Sequence, residues 1–289
     1  MPPLDSAVPQ MTDMDIKKNW SHHHTTTTEK LEFDYLRKIT ENFSKTQIIG
    51  TGGFGTVYKG KKDNGEFVAV KKLKNMTGLA MDDKLFLNEV KHMMDISHPN
   101  IVRLQRYCYH VDRELITHEG KELFVDHVHR MLCFEYMPNG SLEEYLKDKS
   151  RIPDWNERYK IIMGICKGLL YLHEDRGGAH ILHLDLKPAN VLLDKDMIPK
   201  IADFGQSRLY CLGEGNTHTK HIAGTPGYMA PEYVDSGKFR KEVDVYSLGI
   251  MIMEIVAGEM KYPRNDPLHV ENGREGWRQH QEVLKNTNK

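Results

Sequence analysis

The hydrophobic pattern of this 289-residue chain changes at Pro138-Asn139-Gly140. Before this tripeptide, short runs of β-forming residues are bounded by glycines and turn signals, at 47–49, 55–59 and 67–72. After it, apolar residues recur at helical spacing, at 141–148, 155–174 and 243–256. Within the β-rich region, a helix at 82–95 is predicted to pack on the sheet. The pattern predicts an α+β chain in which a small antiparallel β lobe and a larger, mainly helical lobe share a ligand crevice.

The chain divides into six predicted segments. They are a disordered leader at 1–33, a capping helix at 34–45, the small lobe at 46–134, a hinge at 135–140, the large lobe at 141–278 and a tail at 279–289. The leader is polar and contains His22-His23-His24, so it cannot bury enough apolar surface to fold alone. It shows neither a signal peptide nor a membrane-spanning run, and we expect a cytoplasmic protein without direct membrane insertion.

Net charge and cysteine content exclude several classes of function. Lys and Arg number 40 against 41 Asp and Glu, so there is no overall positive field to attract nucleic acid. The four cysteines form neither a C-x-x-C pair nor a regular spacing, which argues against a disulfide framework or a zinc site. Any binding that depends on charge must therefore be local.

A glycine-rich loop predicts phosphate binding near the start of the small lobe. Residues 50–57 read G-x-G-x-x-G-x-V, and glycines let backbone N–H groups approach phosphate oxygens that a Cβ would block. The same pattern opens dinucleotide-binding units, but there a helix follows. Here the residues after Gly55 continue as a strand, which favours a β-hairpin that covers phosphates.

Two charged residues follow this loop in an order that suits phosphate binding. Lys71 ends the strand-like sequence Val68–Lys71, and Glu89 lies in the helix predicted at 82–95. Either residue alone is more often a solvated surface group. Together with the glycine loop they predict an ion pair that holds the lysine against two phosphates of a bound nucleotide.

Three further motifs complete the pattern in the second half of the chain: His183–Asn190, Asp203–Gly205 and Ala230–Glu232. With these motifs in this order, the chain resembles protein kinases. The resemblance spans about residues 40–278 and is closest to plant receptor-like serine/threonine kinases. It implies the two-lobed kinase fold, with the last helices of the large lobe missing, and ATP-dependent phosphorylation of Ser or Thr hydroxyls in signalling.

The resemblance assigns chemical roles to residues of these motifs. The expected catalytic set is Asp185, Lys187, Lys71 and Glu89. Asp185 would accept the proton of the substrate hydroxyl, and Lys187 would neutralise the transferring phosphate. Asn190 and Asp203 are expected to hold Mg²⁺, or Mn²⁺ in its place, because both offer the oxygen ligands that such ions prefer.

The resemblance also predicts a nucleotide pocket. The expected ATP-binding residues are Ile49, Gly50, Thr51, Gly52, Gly53, Phe54, Gly55, Val57, Ala69, Lys71, Glu135, Met137 and Leu192. Adenine would lie between Val57, Ala69 and Leu192, while backbone groups of the hinge bond its edge and Phe134 lies behind it. A stack that ties the two lobes together is expected from four structural residues: Met93, Leu104, His183 and Phe204.

One position departs from the pattern of many kinases, in which an arginine before the catalytic aspartate pairs with a phosphate of the activation loop. Leu184 occupies that position here, and its side chain cannot bind a phosphate. Phosphorylation is therefore not expected to order the loop by that route at any of four candidate sites: Ser207, Thr217, Thr219 and Thr225.

Two functions from different classes remain open. The first is an active serine/threonine kinase that acts on protein substrates, in association with a membrane receptor or a signalling complex. The alternative is a noncatalytic kinase-fold scaffold that binds nucleotide and partner proteins. The intact catalytic motifs favour the first, and the expected incompleteness of the large lobe favours the second.

Overall fold

The computed structural model describes residues 30–75, 79–94, 96–118, 121–150, 154–174, 179–211, 218–219 and 222–258. The predicted leader up to residue 29, the predicted large lobe after residue 258 and the predicted tail at 279–289 lie outside these ranges. Within them, no helix is long and apolar enough to cross a membrane.

The small lobe is built on one five-stranded antiparallel sheet. Its strands are β1 (Ile48–Thr51), β2 (Gly55–Lys61), β3 (Phe67–Leu73), β4 (Leu104–His118) and β5 (Lys121–Glu135). They lie in the order β1-β2-β3-β5-β4. The three predicted strand runs are therefore confirmed. At the predicted β2–β3 turn, the Lys62 N–H donates to the Glu66 carbonyl at 2.8 Å, and Gly65 has a φ of 86°.

Two helices pack on opposite faces of this sheet. Helix α1 (Phe33–Ile39) packs its apolar residues against Val68 and Val70 of β3. Helix α2 (Leu79–Met94) contributes to the main core on the other face. Because side chains alternate along a strand, Lys71 points to the face that α2 covers.

The predicted capping helix at 34–45 is wrong in its length. Helix α1 ends at Ile39, and residues 41–43 all take left-handed backbone conformations, with φ of 52°, 58° and 54°. The buried Thr40 hydroxyl donates to the Leu36 carbonyl at 2.6 Å, which satisfies one carbonyl of the last turn. A single 3-10 turn, Lys45–Gln47, then leads into β1.

The β4–β5 hairpin is an element that the sequence pattern does not anticipate. Each of its strands has 15 residues, whereas β3 pairs with β5 only between Met131 and Glu135. Beyond that stretch, Tyr109–His118 and Lys121–Arg130 continue to pair with each other and extend past the sheet. We call this two-stranded extension the β4–β5 arm.

The large lobe is mainly helical, as predicted. Its helices within the described ranges are α3 (Leu142–Lys147), α4 (Trp155–His173), α5 (Pro231–Ser236) and α6 (Lys241–Ala257). Two short strand pairs accompany them: β6 (Ala179–Leu182) with β9 (Arg208–Cys211), and β7 (Val191–Leu193) with β8 (Pro199–Ile201). Helices α4 and α6 share the apolar core that continues into the small lobe. The helices predicted at 141–148, 155–174 and 243–256 are confirmed.

Candidate active site

The glycine-rich loop lies at the turn between β1 and β2. The predicted nucleotide residues of this region are Ile49, Gly50, Thr51, Gly52, Gly53, Phe54, Gly55 and Val57. A Cβ added at Gly55 would collide with the Lys72 carbonyl of β3, so no side chain fits there. At Gly52 and Gly53 an added Cβ would meet nothing within 4 Å. The backbone of these two residues therefore borders open space, which suits the approach of phosphate oxygens.

Lys71 connects the two lobes. Its ammonium lies 2.7 Å from Glu89 Oε1 of α2 and 2.9 Å from Asp203 Oδ1 of the large lobe. The side chains of Lys71 and Glu89 are 9% and 4% exposed, whereas that of Asp203 is 36% exposed. The expected Lys71–Glu89 ion pair is present, and the carboxylate of Asp203 is the accessible member of the group.

Burial and charge oppose each other at these three groups. Burial alone would lower the pKa of Lys71, but the carboxylates of Asp203 and Glu89 outweigh it and raise the pKa above its ordinary 10.5. Burial raises the pKa of Glu89 in spite of the neighbouring ammonium. Burial would also raise the pKa of Asp203, yet Lys71 holds it below its ordinary 3.8. At neutral pH the lysine is therefore positive and Asp203 is ionised, as a phosphate and metal site requires.

The catalytic-loop residues converge on the carboxylate of Asp185. Lys187 Nζ lies 2.8 Å from Asp185 Oδ2, and the Asn190 amide donates to the same oxygen at 3.0 Å. The Thr225 hydroxyl donates to Asp185 Oδ1 at 2.6 Å and accepts from Lys187 Nζ at 2.6 Å. The structure thus brings together three of the predicted residues and adds Thr225 to them.

His183 links this loop to the apolar stack between the lobes. The four predicted stack residues are all buried: Met93, Leu104, His183 and Phe204. The rings of His183 and Phe204 meet edge to face, with centroids 5.0 Å apart. His183 Nε2 lies 2.9 Å from the Ala202 carbonyl, and its Nδ1 accepts from the Asp185 N–H at 3.3 Å. These two bonds assign the neutral Nε2–H tautomer to the ring.

Asp244 of α6 anchors the backbone of the catalytic loop. Its carboxylate is fully buried and accepts the backbone N–H groups of His183 and Leu184, each at 2.8 Å. It also lies 2.8 Å from His173 Nε2. No sequence pattern assigns a role to Asp244. It is, however, one of two carboxylates, with Glu254, in the strongly apolar segment 243–256, and an acidic residue in such a segment indicates a buried polar contact.

Leu184, which stands where many kinases have arginine, is held in an unusual backbone conformation. Its φ is 63°, which is uncommon for a residue with a branched side chain. The side chain is 3% exposed and packs in an apolar cluster with Leu182, Ala230, Tyr233, Phe239 and Val243. Apolar contact therefore joins the catalytic loop to α5 and α6 at the place where an arginine would reach for a phosphate.

The residues predicted to surround adenine fall into two groups. Met137 packs with Val102 and Ala202, and Phe134 and Leu192 flank this small cluster. Val57 and Ala69, the other two residues expected around adenine, lie on the neighbouring strands β2 and β3 and are half-buried.

The hinge is held by its side chains. Glu135 accepts from the Lys200 ammonium at 2.9 Å and from the Arg103 N–H at 2.8 Å. The segment 135–140 therefore joins β5 to α3 with the Glu135 carboxylate already engaged in two contacts, and the expected bond of its backbone to adenine stays a prediction.

The four candidate phosphosites differ in position. Ser207 donates its hydroxyl to the Phe204 carbonyl at 2.7 Å, and the Thr219 N–H donates to the Gly237 carbonyl at 2.8 Å. Thr217 lies outside the described residues. A phosphate on Thr225 would place an anion against the Asp185 carboxylate, so this arrangement argues against Thr225 as a regulatory phosphosite.

The donor set fits a divalent cation that is shared with phosphate. Asp203 offers carboxylate oxygens, and Asn190, whose amide N–H binds Asp185, offers its amide oxygen. Among the residues that the structure describes, no group of three or more His, Cys, Asp or Glu could hold a metal alone. Mg²⁺ suits such a site, since it usually takes one or two carboxylates together with phosphate oxygens and water.

Comparison with known proteins gives a consistent result. Residues 43–288 match the family model described as the protein kinase domain. A G-type lectin S-receptor-like serine/threonine-protein kinase of Arabidopsis thaliana is 44% identical over 78% of this chain. Two cysteine-rich receptor-like protein kinases of the same organism are 42% and 43% identical over 81% and 80% of it. The chain spans 25%, 33% and 57% of these three relatives, respectively.

Proposed function

This chain belongs to the protein kinase family, and on that premise we propose that it transfers the γ-phosphoryl group of ATP to Ser and Thr hydroxyls of protein substrates. The observation that carries the proposal is the double contact of Lys71 with Glu89 and Asp203. It places a permanent positive charge between the glycine loop and the metal-ligand candidates. Kinase-fold proteins that have lost catalysis commonly lack at least one of these three charged residues. Here Lys71, Glu89 and Asp203 are all present, and Lys71 contacts both carboxylates.

Four residues have separate roles in the proposed reaction, two in the catalytic loop and two in the small lobe. Asp185 orients the substrate hydroxyl and accepts its proton. Lys187 neutralises charge that develops on the transferring phosphoryl group. Lys71, held by Glu89, binds the phosphates that do not transfer. Because the transition state of phosphoryl transfer is loose, this positioning and charge neutralisation supply most of the catalysis.

A divalent metal completes the site, and Mg²⁺ is the ion that we propose, with Mn²⁺ as a substitute. When bound, it neutralises charge on the phosphates of ATP. Asn190 and Asp203 would hold it through oxygen atoms. The lowered pKa of Asp203 supports this role, because the group stays ionised without the metal.

The choice of Ser and Thr as acceptors rests on Lys187 and Thr225. Lys187 lies directly beside Asp185 and is fixed there by the Thr225 hydroxyl. Because Lys187 and Thr225 occupy the space beside Asp185, a small aliphatic hydroxyl can approach this carboxylate more closely than the hydroxyl of a bulky tyrosine ring. The names of the receptor-like relatives support a place in receptor-linked signalling. The cytoplasmic location and the association with a membrane receptor stay predictions.

The test uses three peptides that are identical except for Ser, Thr or Tyr at the acceptor position. With γ-labelled ATP and Mg²⁺, we expect label in the Ser and Thr peptides only, and no label when the metal is chelated. Asp185→Asn should lower the rate about a hundredfold or more, as expected when a general base is removed. Absence of label from a folded protein that still binds ATP would support the noncatalytic scaffold instead, and label in the Tyr peptide would refute the substrate class.

A further inference from the structure

The base of the β4–β5 arm contains a fully buried arginine. Arg130 is 1% exposed although it carries a permanent charge, and it is the largest of the fully buried side chains among the described residues. Its guanidinium contacts Asp83 of α2 through Nε, at 2.7 Å, and through Nη2, at 2.5 Å. Both bonds reach the same carboxylate oxygen. Charges are buried in this way when they are paired and hydrogen-bonded.

The neighbours of this ion pair also belong to the arm or precede α2. Arg130 Nη1 donates to Asn75 Oδ1 at 2.7 Å, and the Asn75 amide donates to the Val128 carbonyl at 3.1 Å. The Tyr109 hydroxyl donates to the other Asp83 oxygen at 3.3 Å. The arm therefore holds both the first half of α2 and the chain segment that leads into it.

The same helix carries Glu89 six residues further on, about 9 Å along its axis. The other attachments of α2 to the core include the apolar residues Phe86, Val90 and Met93. Apolar packing is not directional, so it permits a helix to shift or rotate more easily than an ion pair of fixed geometry does. The Arg130–Asp83 pair is thus a directional contact, besides the Lys71–Glu89 pair, that can set the position of the helix.

We propose that Arg130 is a positioning residue for catalysis, which acts through Asp83 to keep α2 where Glu89 reaches Lys71. The β4–β5 arm is then a regulatory element of the active site, because anything that moves its base moves α2. This inference rests on the proposed function. The inference adds to that function a positioning residue that contacts neither substrate nor metal.

The kinetic constants of an Arg130 variant distinguish a displaced α2 from a smaller fraction of folded protein. Arg130→Met should raise the KM for ATP and lower kcat/KM for ATP about tenfold, a usual size for coupling between sites, while the KM for the peptide stays unchanged. Partial unfolding would instead lower kcat alone, by reducing the active fraction. Arg130→Lys should give an intermediate effect, since lysine keeps the charge but loses the two-pronged geometry.

Two further variants serve as controls. Arg113→Met removes an arginine from the same arm that pairs with Asp126 at 2.7 Å, and it should leave the KM for ATP unchanged. The double variant Arg130→Met/Asp83→Leu replaces both charges by apolar groups, so it should fold even if the single variant does not. We expect the double variant to show the raised KM for ATP as well.

Amide hydrogen exchange of residues 79–94 provides a readout that does not depend on activity. Exchange in this segment should be faster in Arg130→Met and in the double variant than in the wild type and Arg113→Met. If the wild type transfers no phosphate, the proposed function fails, and the exchange data alone decide the position of α2. A double variant with wild-type KM for ATP and wild-type exchange, or equal changes in Arg113→Met, would overturn the inference.

Discussion

Thr225 lies between the two charged groups of the catalytic loop, and its hydroxyl serves both of them. It donates to Asp185 and accepts from Lys187. The contact joins residues 40 positions apart in the chain, so no local sequence pattern reports it. From sequence, Thr225 is one of four hydroxyl residues in a loop, and only the folded loop distinguishes it from the other three.

Removing this hydroxyl should lower activity with little effect on folding. We expect Thr225→Ala to reduce kcat about tenfold to a hundredfold, because hydrogen bonds to charged groups contribute about 1.5–3 kcal/mol each. Thr225→Ser keeps the hydroxyl and should retain most of the wild-type rate. Steady-state kinetics of the three proteins, with thermal unfolding as a check on stability, measure this. Equal rates for the alanine and serine variants would contradict the role of the hydroxyl.

Glu89 should take up a proton at a higher pH than an exposed glutamate does. Burial raises its pKa above the ordinary 4.5, while Lys71 keeps Asp203 ionised to lower pH. As the pH falls towards the raised pKa of Glu89, the Lys71–Glu89 pair therefore weakens before the Lys71–Asp203 pair does. The folded chain binds this proton more tightly than the unfolded chain, so protonation of Glu89 does not itself destabilise the fold.

The pH dependence of Glu89→Gln tests this order of titration. The kcat/KM of the wild type should exceed that of the variant most at neutral pH, and the two values should converge as the pH falls towards the raised pKa. Unfolding measured at each pH confirms that both proteins remain folded over the range compared. A ratio of the two values that stays constant throughout would show that Glu89 does not titrate there.

At the scale of elements, the glycine loop contains two kinds of glycine that a matched pair of variants separates. Gly53→Ala adds a methyl group to open space, whereas Gly55→Ala drives one into the backbone of β3. We expect Gly53→Ala to fold like the wild type and to raise the KM for ATP. Gly55→Ala should lower the free energy of unfolding by about 1–3 kcal/mol, a usual cost of overpacking. Urea unfolding and ATP kinetics of both variants check this, and equal stabilities would contradict it.

The strands and helices that the sequence predicts correctly are those with one clear periodic face. Strand β3 alternates buried Val68 and Val70 with cleft-facing residues, and the helices of the large lobe repeat their apolar residues at helical spacing. The β4–β5 arm lacks such a face. Along β4, Val111, Arg113 and Leu115 share one side, so apolar and charged residues alternate within the same face. A pattern of this kind does not identify a strand by periodicity.

In the whole molecule, the candidate active site is formed where the two lobes meet. Lys71 of β3 and Asp203 of the large lobe are 132 positions apart in the chain, yet 2.9 Å separates their charged atoms. The apolar stack and the hinge fix the same relative position of the lobes. The sequence nevertheless predicts which residues contribute to the site. Each motif is a short contiguous segment, so it can be recognised without knowing how the lobes pack.

What the sequence could not predict are the contacts that depend on how distant segments pack. The Asp244 anchor and the Arg130–Asp83 pair join residues between 47 and 61 positions apart, and the apolar cluster that buries Leu184 includes Val243 of α6. Buried polar residues are recognisable only as exceptions to the apolar pattern, and their partners are set by the tertiary fold. The contacts that position the candidate site are therefore less visible in the sequence than the residues of its motifs.

Intact-protein mass spectrometry after incubation with ATP and Mg²⁺ tests the central claim, that this site transfers phosphate, most directly. The wild-type chain should gain mass in steps of one phosphoryl group, only when both ATP and the metal are present, and Asp185→Asn should gain none. Equal gains in both proteins would assign the transfer to something other than this site. No gain in a folded wild-type chain that binds ATP, together with no gain in the Ser and Thr peptides incubated with it, would contradict catalysis.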